Sequence, residues 1–141
     1  MNNSGIANKH LGVVDPADLD PEHVLDTPAI DAILKIQPSG SNALITQVVV
    51  TFGDSTQDLI AQLRQLQEPH DIILKTPPLA HKLKGSAMVT GAKQLIRIAA
   101  EIETATRNAT DEVSQDYITA QCDECELELR HYLTLMESRY L

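Results

Sequence analysis

Tryptophan is absent, and one Phe and three Tyr are the whole aromatic complement of the chain. An interior built on large rings is thereby excluded, and the core falls to Leu, Ile, Val and Ala. Such residues suit helices that bury apolar stripes. Cysteine is scarce too. Cys122 and Cys125 are the only two, too few for a secreted disulfide framework. No apolar run approaches the length of a transmembrane helix. Residues Met1 to Asp20 have neither a basic start nor an apolar run, so no signal peptide is expected. A soluble cytoplasmic protein follows as the expectation. Basic residues are the minority, and the formal net charge is −9. That balance argues against binding nucleic acid, whose phosphates favour Lys and Arg, and against a polybasic membrane anchor.

The positive charge that exists is gathered. No Asp or Glu lies between Asp71 and Glu101, while Lys75, Lys82, Lys84, Lys93 and Arg97 all do. A basic stretch on an acidic chain suggests a surface for an anionic ligand or partner. A solvated helix face is the plainer alternative.

The 141 residues suggest one domain. Residues 1–26 hold Asp15-Pro16 and Asp20-Pro21 without a sustained apolar period, and read as a flexible or loosely docked tail. Residues 27–141 read as the folded domain. Thr27-Pro28 predicts a helix cap followed by proline at the first helical position. Ile30, Ile33 and Leu34 then mark a short helix ended by Pro38-Ser39-Gly40. Ser41 is placed to cap a second helix carrying Leu44, Val48, Phe52, Leu59, Leu63 and Leu66. Val48-Val49-Val50-Thr51 is a local strand signal inside it. The apolar period runs on past these residues, so helix is expected. Thr76-Pro77 repeats the cap-then-proline pattern and predicts a helix starting near Pro77, with Ala80, Leu83 and Ala87 inward. Gly91 marks a turn, and Leu95, Ala99, Ile102 and Thr106 or Ala105 face inward on the next helix. Ile118, Cys122, Cys125, Leu129, Tyr132, Met136 and Tyr140 form one stripe on a last helix of roughly thirty residues, about 45 Å long. The expected fold is all-α: an antiparallel four-helix bundle with a short extra N-terminal helix.

With Ala80, Leu83 and Ala87 turned inward, His81, Lys84, Gly85 and Met88 share the opposite face, because residues three, four and seven apart are helical neighbours. An imidazole is largely neutral at pH 7, so one ring nitrogen is a free nucleophile able to form a phosphoramidate. An ammonium at Lys84 would stabilise the added charge. Glycine inside a helix costs about 1 kcal/mol relative to alanine. At position 85 it would clear the space beside the imidazole for another protein's active site, although glycines also serve helix packing.

The run Ala80-His81-Lys82-Leu83-Lys84-Gly85-Ser86, followed by Gly91-Ala92 and Leu95, resembles the motif of the histidine phosphotransfer (HPt) family, and Ile102-Glu103 resembles its ending. The likeness implies that His81 accepts a phosphoryl group from an aspartyl phosphate on the receiver domain of a hybrid sensor kinase. It implies onward transfer to the aspartate of a response-regulator receiver. Lys84 would assist the phosphoryl group, and Glu103 would orient the ring. Lys82, Gly85, Met88 and Arg107 would serve partner access and docking. The receiver would supply Mg²⁺, and this chain would hold no cofactor or metal of its own. No Gly-rich nucleotide loop is present, so no ATP-dependent kinase activity is expected. A free-standing monomeric carrier is the expectation.

Two other readings stand beside it. A non-catalytic bundle would use the same face to bind a sensor kinase or receiver. A metal-binding bundle would use Cys122, Cys125 and His131, although a lone C-x-x-C lacks the four ligands of a structural zinc site. Both sulfurs fall on the apolar stripe, which favours core thiols. Asp123, Glu124, Glu126 and Glu128 read as a solvated helix face. Met88 is either a soft contact for a partner helix or a side chain at the bundle edge.

Overall fold

The computed structural model describes residues 14–109 and 113–141. All regular structure among them is helical. A 3₁₀ turn at Pro16–Asp18 is followed by α1 (Pro21–Val24), α2 (Thr27–Ile36), α3 (Ala43–Gln65), α4 (Pro69–Thr90), α5 (Lys93–Arg107) and α6 (Gln115–Tyr140). The long helices pack in a ring, α3 on α4, α4 on α5, α5 on α6 and α6 back on α3, with α4 and α5 in the most extensive contact. This is the antiparallel four-helix bundle that the apolar stripes predict. The whole stripe of α6 from Ile118 to Met136 is buried, and Tyr140 is half-buried. The β-branched run Val48 to Thr51 is helical because Ile45, Val49, Phe52, Leu59, Ile60 and Leu63 form a continuous buried face through it. That face is turned slightly from the expected one, leaving Leu44 and Val48 only half-buried. On α5, Thr106 rather than Ala105 points inward.

Gly91 closes α4. Its φ of +80° is in the left-handed region, and the amides of Gly91 and Ala92 both donate to the Ala87 carbonyl, at 2.9 and 3.0 Å. This arrangement satisfies a carbonyl at the helix end and reverses the chain within two residues. Tyr132 on α6 donates its hydroxyl to the Thr90 carbonyl at 2.7 Å, and its ring meets Phe52 edge-on at 5.3 Å.

One expectation is corrected. The helix expected to begin near Pro77 begins at Pro69, so Pro77 and Pro78 lie inside it. Proline has no N–H, so the carbonyls of Ile73 and Leu74 lack their helical partners there. Burial of Ile72, Thr76 and Pro77 against the bundle carries the helix through this interruption. For the chain before residue 27 the expectation is a flexible or loosely docked tail. Residues 1–13 lie outside the described part. From Val14 onward, Asp15-Pro16 and Asp20-Pro21 each act as cap plus first helical residue, their carboxylates accepting from Ala17 N at 2.9 Å and Glu22 N at 3.1 Å. Val24 and Leu25 are buried in the core. Lys93 Nζ donates to the Glu22 carbonyl and Gln94 Nε2 to that of His23, each at 2.8 Å. Leu25 pairs with Ala92 in an isolated bridge. Of the two alternatives, residues 21–25 take the docked one. In α2 the cap position itself belongs to Asp26, with Thr27 and Pro28 following.

Candidate functional site

The phase of α4 is set by Ala80, Leu83 and Ala87, all 0% exposed. That burial turns His81 outward, with its side chain 64% exposed. Facing it on α5 is Glu103, whose side chain is only 10% exposed. Glu103 holds three partners. Its Oε2 lies 3.0 Å from His81 Nδ1 and accepts from Arg107 Nε at 2.9 Å. Its Oε1 accepts from Lys84 Nζ at 2.8 Å.

An ionised carboxylate can only accept hydrogen bonds. The contact with His81 is therefore made by a proton on Nδ1, which leaves Nε2 as the bare nitrogen of the neutral ring. Glu103 is firmly ionised. The Lys84 hydrogen bond, working against partial burial and aided by Arg107, the Lys84 charge and the His81 contact, lowers its pKa from the ordinary 4.5 to about 2. A carboxyl group shifted this way stabilises the fold fully above its ordinary pKa and progressively less as the pH falls towards the folded value. Wild-type Tm should thus fall more steeply between pH 4.5 and about 2 than that of Glu103→Gln. Thermal melts across that window check this, and parallel curves would contradict it.

Gly85 sits on the exposed face of α4, and a Cβ built there meets nothing within 4 Å. Helix packing is therefore excluded as its purpose. Gly85→Ala should stabilise the protein by about 1 kcal/mol through helix propensity, read from urea unfolding. Met88 is 54% exposed and Val89 66%. Of the residues singled out in the sequence, His81, Lys84, Glu103 and Arg107 meet in one network, and Gly85 and Met88 extend the same helix face. Lys82 is exposed and lies outside that network.

The basic stretch does not act as one patch. Lys84 is held by Glu103, and Lys93 by the Glu22 carbonyl. Arg97 pairs with Glu101 and with Glu124 of α6, and Lys75 lies 3.9 Å from Asp71. The acidic run of α6 is likewise not simply solvated. Arg64 of α3 bridges Asp123 and Glu126, so carboxylates of α6 are tied to both neighbouring helices. Cys122 and Cys125 are 0% exposed, and burial pushes their thiols up to about 11 and about 12. Such thiols are poor ligands and nucleophiles at neutral pH. His131 instead lies 3.4 Å from Glu128, and no group of three or more potential metal ligands forms among the described residues.

Sequence reasoning missed one part of this face. Leu74, at 60% exposure, and Pro78 precede His81 on the same stripe, where residues 74, 78, 81, 85 and 88 alternate steps of four and three. The spacing was present in the sequence, but the residues before Pro77 were expected to lie outside the helix.

An all-α bundle presenting an outward imidazole braced from behind by a buried carboxylate has the form of a phosphoryl-carrying module. The family model of the Hpt domain matches residues 47–138, more than half of the chain. The chain belongs to the Hpt domain family. Its general role is therefore histidine phosphotransfer in phosphorelays, in which Hpt domains interact with receiver domains. No curated protein and no solved structure matches it significantly. No helix of the described residues is long and apolar enough to cross a membrane.

Proposed function

We propose that His81 is the phosphorylated residue of a carrier standing between two receiver domains. The observation that supports this most is the Nδ1 contact to Glu103 at 3.0 Å, which leaves Nε2 bare on an exposed ring. Nε2 attacks the phosphorus of an aspartyl phosphate on the receiver of a hybrid sensor kinase. The N–P bond forms as the acyl O–P bond breaks, and the receiver's carboxylate departs. Nδ1 keeps its proton, so the phosphorylated ring is an imidazolium whose charge Glu103 balances. The second transfer runs in the reverse sense, with a response-regulator aspartate attacking phosphorus and the neutral ring leaving.

Phosphoryl transfer depends mainly on positioning and charge stabilisation. Lys84 supplies an ammonium one turn from His81. Arg107 adds positive charge at the rim. Gly85 keeps the approach to the ring open, with Met88 and Lys82 as contacts for the docking receiver. Mg²⁺ would come from the receiver and would supply charge neutralisation for the phosphoryl group, while this chain's part is the nucleophile at His81 and the charges of Lys84 and Arg107. ATP takes no part. The carrier works in the cytoplasm as a monomer, without nucleic acid or membrane.

Incubation with a phosphorylated receiver should move one phosphate onto the peptide containing His81, in a linkage labile to acid and stable to alkali. Phosphate found on another residue would overturn the assignment. The Gly85→Ala protein, although more stable, should accept phosphate more slowly from the receiver, because its methyl group stands beside the approach to Nε2.

A further inference from the structure

Beside Arg107, on the side of α4 facing the C-terminal end of α5, lies a groove of about 550 Å³ lined by His70, Ile73, Leu74, Pro77, Pro78 and Thr106. Its lining is chiefly apolar, and Leu74 is 60% exposed. Thr106 has its hydroxyl bonded to the Ile102 carbonyl at 2.8 Å. Pro78 is exposed, and it sits inside a helix where proline lacks the N–H that position requires. Packing accounts for the buried Pro77 but not for Pro78. The two prolines leave the Ile73 and Leu74 carbonyls without helical donors at the edge of this groove.

The groove is continuous with the phosphoryl site. Arg107 lines it and also donates to Glu103. Pro77 and Pro78 stand one turn before His81, within about 6 Å along the helix axis. A receiver seated over His81 therefore reaches it without moving. An exposed apolar groove joined to a docking face is a place where partner choice can be set.

We propose that this groove is a second seat for the receiver domain, selecting receivers that present an apolar side chain flanked by a hydrogen-bond donor. The proposal rests on the carrier reading above. The apolar side chain enters among Leu74, Pro77 and Pro78, the donor meets a carbonyl whose helical donor the prolines remove, and a receiver carboxylate at the edge meets Arg107.

The test compares wild type, Leu74→Glu and Pro78→Ala as acceptors from a panel of phosphorylated receivers of the source organism. Phosphoramidate, a small donor that needs no docking, reports in parallel whether His81 is intact in each protein. Leu74→Glu should raise the receiver concentration for half-maximal transfer tenfold or more with at least one receiver, at an unchanged rate at saturation. Pro78→Ala restores the missing N–H, so it should raise Tm and still weaken the same receivers severalfold. A purely structural proline would not give that pairing. Equal half-saturation for all three proteins across the panel would overturn the groove alone. A wild type labelled by phosphoramidate but by no receiver would overturn the carrier reading and the groove together. A concentration-dependent mass that Leu74→Glu abolishes, with transfer unchanged, would assign the groove to a second copy of the chain and overturn the proposal.

Discussion

His81→Gln should abolish phosphoryl acceptance and leave the bundle standing. The reason is electronic. A carboxamide nitrogen has its lone pair delocalised into the carbonyl, so it offers no nucleophile in place of Nε2. The same amide still carries N–H groups that reach towards Glu103. His81 is largely exposed and lies outside the hydrophobic core. A surface change of this kind alters stability by about 0.5 kcal/mol or less. The expected record is therefore an unshifted thermal melt beside a complete absence of label from a phosphorylated receiver. Wild-type stoichiometry of phosphate on His81→Gln would end the carrier reading. If the variant bound receivers normally and the wild type never acquired phosphate, the non-catalytic regulator would replace it. Slowed but complete labelling is not expected, because the substitution removes the attacking atom and not an auxiliary to it.

How far the site can be read from sequence depends on which interactions are local. The turn of His81, Lys84, Gly85 and Met88 outward follows from Ala80, Leu83 and Ala87 turning inward, and a helix fixes both by its period. Glu103 is another matter. The motif's spacing singles it out, but nothing in the spacing states that one carboxylate holds His81, Lys84 and Arg107 at once. That depends on α4 and α5 packing closely. The dispersal of the basic stretch has the same origin. Lys75 to Arg97 looks like a single patch in one dimension, yet Lys84, Lys93 and Arg97 each meet a partner on another element, decided by tertiary contact.

The fold shows the same division. The stripe from Ile118 to Tyr140 repeats without interruption, and one helix follows from it. Pro77-Pro78 misleads because the rule that proline opens helices is local, whereas the burial of Ile72 and Thr76 that overrides it is not. The Asp-Pro pairs before residue 27 are an instructive contrast. Cap followed by proline is the logic applied to Thr27-Pro28, and it describes Asp15-Pro16 and Asp20-Pro21 as well. What hid them was the lack of an apolar period. Turns this short cannot show one, and their stability comes from docking Val24 and Leu25 on the bundle.

That docking gives the second large effect, on the fold itself. Gly91→Ala should destabilise the protein severely, in contrast to the same substitution at Gly85. At Gly91 the backbone has φ +80°, and an added Cβ would lie 2.8 Å from the Asp26 carbonyl oxygen and 2.8 Å from Ile30 Cγ1. Asp26 O is backbone and cannot rotate away. Gly91 is also joined to that segment through its own carbonyl, which accepts from Asp26 N at 2.9 Å. Relief of the clash therefore means separating the start of α2 from the α4–α5 turn. The left-handed conformation costs an alanine roughly 1–2 kcal/mol, and overpacking a filled site adds about 1–3 kcal/mol. The sum is about 2–5 kcal/mol, which for a chain of this size lowers Tm by on the order of 10 °C. Urea unfolding of the two alanine variants side by side checks it, with Gly85→Ala above wild type and Gly91→Ala far below. His81 and Glu103 lie away from the Gly91 turn, so folded Gly91→Ala at low temperature should still accept phosphate on His81. A variant as stable as wild type would mean that residues 25–30 are not seated on the turn as described.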